Sequence, residues 1–329
     1  MPIDGFGRHI DYLRLSVTDR CNLRCAYCLP VGRGRYRPAG DLLSDDEIAA
    51  LAARFAETGW RKIRITGGEP LVRPGLPELI GRLVRIPGIE EVSLTTNGML
   101  LRRFALPLAA AGLARVNISL DTLRADNFRR LTRYGDLPTV LDGVNAALDA
   151  GLTPVKLNCV VARGLNDGEL ADFAALTQAR PLHVRFIELM PMGETNYFAA
   201  ARRVPLAEMM ALTGPLEEAA ADQRPPGHGP ARYYRRPGAA GTVGFIGALS
   251  RGFCGGCNRV RLSAAGTLVA CLDGEDGVDL RATLRAGARE EDIRQRILDA
   301  IKRKPRGHRM FERCGGHAGG SRVMCSIGG

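Results

Sequence analysis

Three cysteines lie close together near the start of the chain, in the stretch CNLRCAYC. Cys21, Cys25 and Cys28 are separated by three residues and then by two. A structural zinc site normally has four protein ligands in a closed tetrahedron. Three thiolates on a cubane iron–sulfur cluster instead leave one iron without a protein ligand, where a small molecule can bind. The spacing therefore favours a [4Fe–4S] cluster, with a zinc knuckle completed by a distant fourth ligand as the alternative.

A second group of three cysteines lies in the C-terminal part of the chain: Cys254, Cys257 and Cys271. Its spacing is also compatible with zinc. The fourth ligand of such a zinc site would be His308, Cys314 or His317. Directly after the first two of these cysteines, NRVRL places Arg259 and Arg261 on one face of a predicted strand. Two guanidinium groups beside a second open iron favour a ligand that carries phosphates and a nitrogen base.

The chain has nine cysteines, and three lie outside these groups: Cys159, Cys314 and Cys325. Cys159 falls on the apolar face of its predicted strand, which indicates a small buried side chain, whereas the other two are extra thiols near the C-terminal end. There is no apolar run of roughly eighteen residues and no signal-peptide pattern, so we expect a cytoplasmic protein without a membrane span. In a reducing compartment, clustered cysteines favour metal binding over disulfides.

The net charge of +11 is unevenly distributed along the chain. Residues 1–199 have 25 basic and 22 acidic side chains, whereas residues 200–329 have 21 and 13. A basic balance indicates an anionic partner, either a nucleic acid or a phosphorylated small molecule. A basic surface in contact with solvent alone is the alternative, and charge does not decide between the two.

Strand-like and helix-like segments alternate through the first 190 residues. The predicted strands are 11–18, 62–66, 91–97, 115–121, 154–161 and 183–190. The predicted helices are 44–59, 75–86, 100–111, 124–132, 138–150 and 167–178. This alternation predicts parallel strands joined by crossover helices. Six such units predict an α/β fold, an incomplete (β/α)6 barrel similar to the triosephosphate isomerase barrel, over residues 1–190.

After residue 190 the alternation stops, and residues 191–329 form a predicted C-terminal α+β extension that carries the second cysteine group. Segments 191–204 and 222–241 are rich in Pro, Gly and Arg, which predicts linkers or mobile loops. The extension also has a predicted hairpin at 259–272, with its turn at Ala265–Gly266, and a predicted helix near 289–302.

Most of the predicted strands have one polar face. Its side chains alternate with apolar ones and include Arg14, Ser16, Lys62, Arg64, Thr66, Ser93, Thr95, Asn97, Asn117, Ser119, Asp121, Lys156 and Asn158. The interior of a complete β/α barrel is normally packed with branched apolar side chains. A polar, cationic interior therefore predicts a lumen filled by a ligand. The alternative is a two-layer sheet with one face in solvent.

The first cysteine group directly follows the first strand, where β/α barrels have their active sites. Its spacing resembles the signature of the radical S-adenosylmethionine superfamily, and TGGEP at 66–70 resembles that superfamily's glycine pair, whose backbone meets the methionine amino group. The resemblance implies a [4Fe–4S] cluster on Cys21, Cys25 and Cys28 whose open iron chelates S-adenosylmethionine. An electron from the cluster would cleave the sulfonium to methionine and a 5′-deoxyadenosyl radical.

A closer resemblance covers nearly the whole chain. The stretches LRLSVTDRCNLRCAYC, KIRITGGEPLVR, SLTTNG, NISLDT, VRFIELMP, FCGGCNRVRLS and the terminal IGG are similar to those of the GTP 3′,8-cyclase family, molybdenum cofactor biosynthesis protein A. The resemblance implies a lyase that converts GTP to (8S)-3′,8-cyclo-7,8-dihydroguanosine 5′-triphosphate, the first step of molybdenum cofactor biosynthesis. The adenosyl radical would remove the hydrogen at ribose C3′, and C3′ would close onto guanine C8. No GxxxxGK[ST] loop is present, which fits GTP as a substrate that is not hydrolysed.

Matching motifs imply the site residues. A second [4Fe–4S] cluster would bind guanine through its open iron and would be held by Cys254, Cys257 and Cys271. The S-adenosylmethionine contacts would be Tyr27, Gly68, Ser119 and Met190. The GTP contacts would be Arg14, Arg64, Thr95, Lys156, Arg259, Val260 and Arg261, with Lys62 and Arg185 as further lumen cations. For any one of these cations, a structural ion pair is the alternative. Gly328 and Gly329 would reach into the active site, although two terminal glycines ordinarily indicate a frayed tail.

The family resemblance also implies an external reductant and a downstream cyclic pyranopterin monophosphate synthase. It implies a monomer or homodimer that binds neither nucleic acid nor a membrane. Leu29 stands where many relatives have Met, which is a volume-conserving exchange. Two other functions remain open. One is a different radical S-adenosylmethionine enzyme with an auxiliary [4Fe–4S] cluster, and the other is a zinc-stabilised protein that binds nucleic acid.

Overall fold

A computed structural model describes residues 1–28, 36–191, 200–227, 229–274 and 276–310. The first six strands are β1 (Tyr12–Ser16), β2 (Lys62–Thr66), β3 (Glu91–Thr96), β4 (Arg115–Ser119), β5 (Val155–Val161) and β6 (Leu182–Glu188). The helices between them are α1 (Asp45–Glu57), α2 (Leu76–Val84), α3 (Leu101–Ala110), α4 (Ala125–Thr132), α5 (Leu137–Asp149) and α6 (Leu170–Ala175). All twelve predicted elements are present, and α6 is shorter than predicted because residues 167–169 form a separate 3-10 turn.

The remaining elements are α7 (Leu206–Thr213), β7 (Glu217–Glu218), β8 (Arg232–Arg235), β9 (Thr242–Ile246), β10 (Arg259–Leu262), β11 (Thr267–Val269), β12 (Val278–Asp279), α8 (Leu280–Arg285) and α9 (Glu290–Lys302). The predicted hairpin is confirmed, since Leu262 of β10 pairs antiparallel with Leu268 of β11 across a turn in which Gly266 has a φ of +81°. The predicted final helix is confirmed as α9. Among the described residues, none of the helices has the length and apolar composition needed to cross a bilayer.

The prediction that 222–241 is a loop throughout was wrong, because β8 lies within it. This strand pairs antiparallel with β9 on one side and with β7 on the other. Its Tyr234 packs edge-on against Phe245 of β9, with ring centroids 5.6 Å apart. Tyrosine favours strands where it can pack on a neighbour, and that contact outweighs the flanking Pro and Gly. Of the other predicted loop, residues 192–199 lie outside the described part of the chain.

All twelve strands belong to one sheet, in the order β12-β11-β10-β1-β2-β3-β4-β5-β6-β9-β8-β7. The eight central strands, from β10 to β9, are parallel. The C-terminal strands therefore do not form a sheet of their own, because β10 continues the first six strands beside β1 and β9 continues them beside β6. Side chains from both ends of this array line the same cavity, so the sheet curves into an open barrel.

The two faces of the sheet differ as the alternation predicts. Apolar side chains such as Leu15, Ile63 and Val116 lie on the helix-covered face and are at most 1% exposed. On the other face, polar side chains are also buried: Arg64 is 4% exposed and Lys156 is 2% exposed. A two-layer sheet with a solvated face would expose these polar residues, so their burial identifies the polar face as the lining of a lumen.

The helix that follows the first cysteine loop begins as the sequence predicts. Ser44 Oγ accepts from the backbone N–H of Glu47 at 3.2 Å, and the Glu47 carboxylate accepts from the Ser44 N–H at 2.8 Å. This capping box satisfies two backbone donors at the start of α1. Because Arg285 of α8 also pairs with Glu47, the same carboxylate connects the first helix to the C-terminal part of the chain.

Candidate active site

The lumen contains a cavity of about 330 Å³ that extends from the first cysteine loop to the second cysteine group. Tyr27 of the first loop lines it at one side. Cys254, Cys257 and Cys271 line it at the other side. The predicted S-adenosylmethionine contacts Ser119 and Met190 also line this cavity, as do all the predicted GTP contacts except Val260.

The first cysteine group is held by hydrogen bonds that suit a metal-bound thiolate. The Leu23 N–H donates to Cys21 Sγ at 3.4 Å, and the Asn97 side-chain amide lies 3.9 Å from the same sulfur. The Tyr36 hydroxyl donates to the Cys21 carbonyl at 3.1 Å, which fixes the backbone of the loop. Burial, Asp121 and Cys21 raise the pKa of the Cys25 thiol. The two N–H donors at Cys21 Sγ fit a thiolate ligand of an iron–sulfur cluster, whereas the raised pKa of Cys25 means that a bound metal would have to stabilise its thiolate.

The glycine pair at the end of β2, Gly67 and Gly68, packs against the backbone that leads into this loop. A Cβ at Gly68 would collide with the Arg20 carbonyl and would lie 2.7 Å from the Asp19 carbonyl oxygen. The Gly68 N–H donates to the Thr18 carbonyl at 2.8 Å, and the Glu69 N–H donates to the Arg20 carbonyl at 2.8 Å. Because both amides are already used, any contact from Gly68 to a ligand has to come from its carbonyl oxygen.

Asp121 is a site residue for which sequence reasoning assigned no role. Its carboxylate accepts from the Tyr27 hydroxyl at 2.5 Å and from the Val160 N–H at 2.8 Å. Burial raises the pKa of Asp121 to about 6, although both hydrogen bonds favour the charged form. Burial and Asp121 together raise the pKa of Tyr27 well above its usual value. The pair therefore fixes the first cysteine loop to the end of β4.

The second cysteine group lies beside a buried lysine that sequence reasoning missed. Lys304 Nζ donates to the Arg259 carbonyl at 2.8 Å and to the Ala270 carbonyl at 2.6 Å, so it connects the two backbone segments next to Cys257 and Cys271. Burial raises the pKa of Cys257, but the charges of Lys304 and Arg259 outweigh this effect and the net pKa is lowered. A stabilised thiolate is what an iron–sulfur cluster requires of its ligand.

The hydrogen bonds of His308 argue against a zinc site at this cysteine group. Its Nε2–H donates to the Ala248 carbonyl at 3.0 Å, and its Nδ1 accepts from the Met310 N–H at 3.3 Å. With both ring nitrogens engaged, His308 cannot serve as the fourth ligand without breaking one of these bonds. Cys314 and His317 lie outside the described residues. Within the described ranges, no three Cys, His, Asp or Glu side chains converge closely enough to bind a single metal ion.

The N-terminal segment supports the second cysteine group from outside the barrel. Arg8 is 8% exposed, and its guanidinium pairs with Asp4 at 2.5 Å. Its other nitrogens donate to the Cys254 carbonyl at 2.7 Å and to the Pro305 carbonyl at 2.7 Å. Arg8 thereby joins three segments that are far apart in sequence.

Between the two cysteine groups lies a cationic wall, which consists of Arg14, Arg64, Arg115, Lys156, Arg185 and Arg261. Arg261, Arg14 and Arg64 are direct cross-strand neighbours on β10, β1 and β2. Like charges in this arrangement destabilise a sheet unless a counter-ion is present. Burial and mutual repulsion accordingly lower the pKa of Lys156 to about 6, and burial and Arg259 lower that of Arg261 to about 10.

Several buried polar atoms on this lumen face have no hydrogen-bond partner within the described ranges. They include Arg64 Nη1, Thr95 Oγ1, Arg115 Nε and Asn117 Oδ1. Buried polar groups normally find partners, because an unsatisfied donor or acceptor costs about 1–3 kcal/mol. Donors on three adjacent strands, β2 to β4, together with excess positive charge, fit a bound polyanion such as a chain of phosphates.

One predicted lumen cation, Lys62, and one predicted GTP contact, Val260, are placed differently from the rest. Lys62 points to the outer end of the barrel, where its Nζ lies 3.7 Å from the Asp11 carboxylate, and it does not line the cavity. Val260 is 1% exposed and its side chain lies in the hydrophobic core, on the face opposite Arg259 and Arg261. Any contact of Val260 with a nucleotide would therefore have to come from its backbone.

Other predictions lie outside the described residues or concern the core. Four residues lie outside the described part of the chain: Leu29, Cys325, Gly328 and Gly329. Cys159 is fully buried in the hydrophobic core, as its strand face predicted, and it contacts the Asn166 side-chain amide at 3.5 Å.

Comparison with known proteins identifies the class to which this fold and site belong. Residues 15–177 match the model of the radical SAM superfamily, and residues 182–310 match a model described as Molybdenum Cofactor Synthesis C. A crystal structure of Streptococcus suis SuiB bound to S-adenosylmethionine shares the fold, with a TM-score of 0.61 at 15% identity, over 90% of this chain and 66% of that one.

Sequence comparison places the chain in one family within the radical SAM superfamily. The chain is 53% identical to the GTP 3′,8-cyclase of Pelotomaculum thermopropionicum, over 94% of this chain and 95% of the relative. It is 49% identical to the GTP 3′,8-cyclase of Heliobacterium modesticaldum, over 99% of this chain and 100% of the relative. The chain belongs to the GTP 3′,8-cyclase family.

Proposed function

We propose that this chain is a lyase that cyclises GTP by joining ribose C3′ to guanine C8, with S-adenosylmethionine as co-substrate. The observation that carries the proposal is the single cavity that Tyr27 of the first cysteine loop and the whole second cysteine group line together. Holding two reactants in one enclosed geometry provides the proximity that such a reaction requires. The cationic wall between the two ends supports a triphosphate as part of the substrate.

In this proposal each cysteine group holds one [4Fe–4S] cluster, on Cys21, Cys25 and Cys28 and on Cys254, Cys257 and Cys271. When bound, the first cluster supplies the electron that cleaves S-adenosylmethionine. Tyr27, Ser119 and Met190 would contact this co-substrate, and the Gly68 carbonyl would accept from its amino group. Asp121 orients Tyr27 through the 2.5 Å hydrogen bond.

GTP would lie across the rest of the lumen. Its base would reach the second cysteine group, beside Arg259 and Arg261, and its phosphates would bind along the cationic wall. Arg64 and Thr95 carry buried donors with no partner among the described residues, which supports their predicted role as GTP contacts. Lys62 pairs with Asp11 outside the cavity, so we do not include it in the proposed phosphate site.

The remaining parts of the proposal concern the protein's context. We infer a cytoplasmic monomer or homodimer that binds no nucleic acid, takes electrons from an external reductant and hands its product to a cyclic pyranopterin monophosphate synthase. Residues 1–190 would form the radical S-adenosylmethionine region and residues 191–329 the auxiliary-cluster and GTP-binding region. Gly328 and Gly329 would act within the active site.

The proposal is tested by measuring which nucleotide triggers cofactor cleavage. The protein, purified without oxygen and reconstituted with iron and sulfide, is mixed with S-adenosylmethionine, dithionite and either GTP, ATP, GDP or no nucleotide. We expect release of 5′-deoxyadenosine that depends on GTP, and transfer of deuterium from C3′-labelled GTP into that product.

Other outcomes would change the assignment. Release of 5′-deoxyadenosine regardless of nucleotide would retain the first cluster but refute GTP as the substrate. A preparation that contains zinc in place of iron and releases no 5′-deoxyadenosine would refute the proposed enzymatic activity altogether.

A further inference from the structure

Arg115, the first residue of β4, is a buried cation for which sequence reasoning assigned no role. Its side chain is 5% exposed and lines the cavity. Nη2 donates to Glu91 Oε1 at 2.5 Å, but Nε is buried and has no partner in the described part of the chain. A buried donor without an acceptor is unfavourable, and a ligand acceptor would remove that cost. The geometry of Arg115 therefore points to an anion that the chain itself does not supply.

Glu91 holds Arg115 in place without using all of its donors. The two residues lie on adjacent strands, since Ser93 of β3 pairs in register with Arg115. Burial raises the pKa of Glu91, but the charges of Arg115 and Arg64 outweigh it and keep the carboxylate ionised. The carboxylate accepts from Nη2, and the Nε–H has no partner among the described residues, so it is left for a second acceptor.

The neighbours of Arg115 add positive charge. Arg185, Arg115 and Arg64 all contribute to lowering the pKa of Lys156, which shows that these four side chains interact within one region of the lumen. One carboxylate, Glu91, opposes part of this repulsion. A dianionic phosphate would offset most of the repulsion that Glu91 leaves, because each cation could donate a charge-assisted hydrogen bond to it.

The position of Arg115 in the sheet determines which end of a bound nucleotide it can reach. In the sheet order, β4 is four strands from β10, which lies between Cys257 and Cys271 of the second cysteine group. Four strand spacings correspond to about 19 Å along the sheet, and the path across a curved lumen is shorter. Backbone closes this end of the cavity: the Pro226 carbonyl accepts from Lys156 Nζ at 2.5 Å, and a Cβ at Gly227 would lie 3.5 Å from Arg115 Nη2.

We propose that Arg115, oriented by Glu91, binds the terminal phosphate of the nucleotide and makes the site select a triphosphate over a diphosphate. This inference rests on the proposed function, in which the base lies at the second cysteine group. A nucleotide anchored there and extended along the cationic wall brings its last phosphate to Arg115, Lys156 and the closed end of the cavity.

The test is a comparison of nucleotide affinities in the reconstituted, oxygen-free enzyme. Dissociation constants for GTP and GDP are measured by calorimetry, without reductant, for the wild type and for Arg115→Gln. We expect the substitution to weaken GTP binding by about ten- to hundredfold, which is the range for a lost charged hydrogen bond, and to leave GDP binding within about threefold. Arg102→Gln, at an exposed pair with Asp142, is the matched control and should change neither constant.

A second variant separates orientation from charge. Glu91→Gln keeps the Arg115 charge but weakens its alignment, so it should reduce the preference for GTP over GDP to a smaller extent than Arg115→Gln does. If Arg115→Gln fails to fold, the change in GTP preference in Glu91→Gln tests the inference instead. A merely structural Arg115 would weaken GTP and GDP equally or not at all, and either result would overturn the inference. Wild-type protein that binds neither nucleotide would instead refute the proposed function.

Discussion

At the scale of single residues, the charge state of Lys156 depends on whether an anion is present. The residue is 2% exposed. Burial first, and then Arg185, Arg115 and Arg64, lower its pKa to about 6. Near neutral pH the side chain is therefore largely uncharged when no anion is bound beside it. A phosphate placed beside it would favour the charged form and raise its pKa, so ligand binding would take up a proton.

This linkage predicts a pH-dependent affinity for GTP. The contribution of Lys156 to the affinity should be largest below about pH 6, where Lys156 is already protonated, and should fall by up to tenfold per pH unit as the pH rises above that value. Lys156→Arg keeps its charge and should flatten the profile. Calorimetry between pH 5.5 and 8.5, repeated in buffers of different ionisation enthalpy, measures both affinity and proton uptake. Since the nucleotide titrates identically with both proteins, parallel profiles would contradict the assignment to Lys156.

At the scale of secondary-structure elements, the end of β2 supports the first cysteine loop through backbone contacts. Gly67 and Gly68 lie so close to residues 18–20 that a Cβ on either would approach a backbone carbonyl within 2.7 Å. Glu69 continues this support, because its buried carboxylate accepts from Thr96 Oγ1 and from the Asn97 N–H, both at 2.7 Å. The glycine pair thus has a structural role besides any contact with a ligand.

We therefore expect Gly68→Ala to damage the first cluster site even in the absence of S-adenosylmethionine. The new Cβ would displace the Arg20 backbone, at a cost of about 1–3 kcal/mol in the free energy of unfolding. Iron content and the urea midpoint should both fall relative to the wild type. Gly40→Ala is the matched control, because a Cβ there has no heavy atom within 4 Å. Normal stability and iron content in Gly68→Ala would mean that the loop can move aside at little cost.

At the scale of the whole molecule, the two cysteine groups are held by contacts between distant parts of the chain. β10, which lies between Cys257 and Cys271 in the chain, pairs directly with β1, which precedes the first group. Arg8 then connects the N-terminal segment to the Cys254 carbonyl and to the Pro305 carbonyl. Lys304 adds a further connection behind the second group. Loss of one such contact should therefore affect one site more than the other.

Arg8→Gln should selectively impair the second site. The substitution removes three hydrogen bonds to backbone carbonyls and leaves buried Asp4 without its partner, which costs about 3–5 kcal/mol. We expect iron content to fall toward that of one cluster, with cleavage of S-adenosylmethionine retained. The double variant Asp4→Asn/Arg8→Gln should recover stability but not the second cluster.

Arg61→Gln serves as the control for this experiment, because it changes an exposed arginine 3.8 Å from Glu90. Equal loss of both clusters in Arg8→Gln, or none, would contradict a selective role for Arg8.

Much of the architecture follows from local sequence. Periodicity of two residues sets which side chains of a strand share a face, so the alternation around Arg14 and Arg64 was sufficient to predict a polar lumen. The same parity places Val260 opposite its arginine neighbours, as the structure has it. Fixed spacing likewise makes the cysteine groups and the Ser44 capping box readable from the sequence, since each depends on residues a few positions apart.

Other features are determined by tertiary structure, because they depend on contacts between residues that are far apart in the sequence. Parity cannot tell that Lys62 lies beyond the end of the cavity while Arg64 lies inside it, since that depends on how the strands are staggered around the barrel. Nor can sequence reveal that β9 and β10 extend the sheet at opposite edges, that Arg8 and Lys304 lie beside the second cysteine group, or that Arg115 lines the lumen. Each of these side chains acquires its role from partners that only the folded sheet brings within hydrogen-bonding distance.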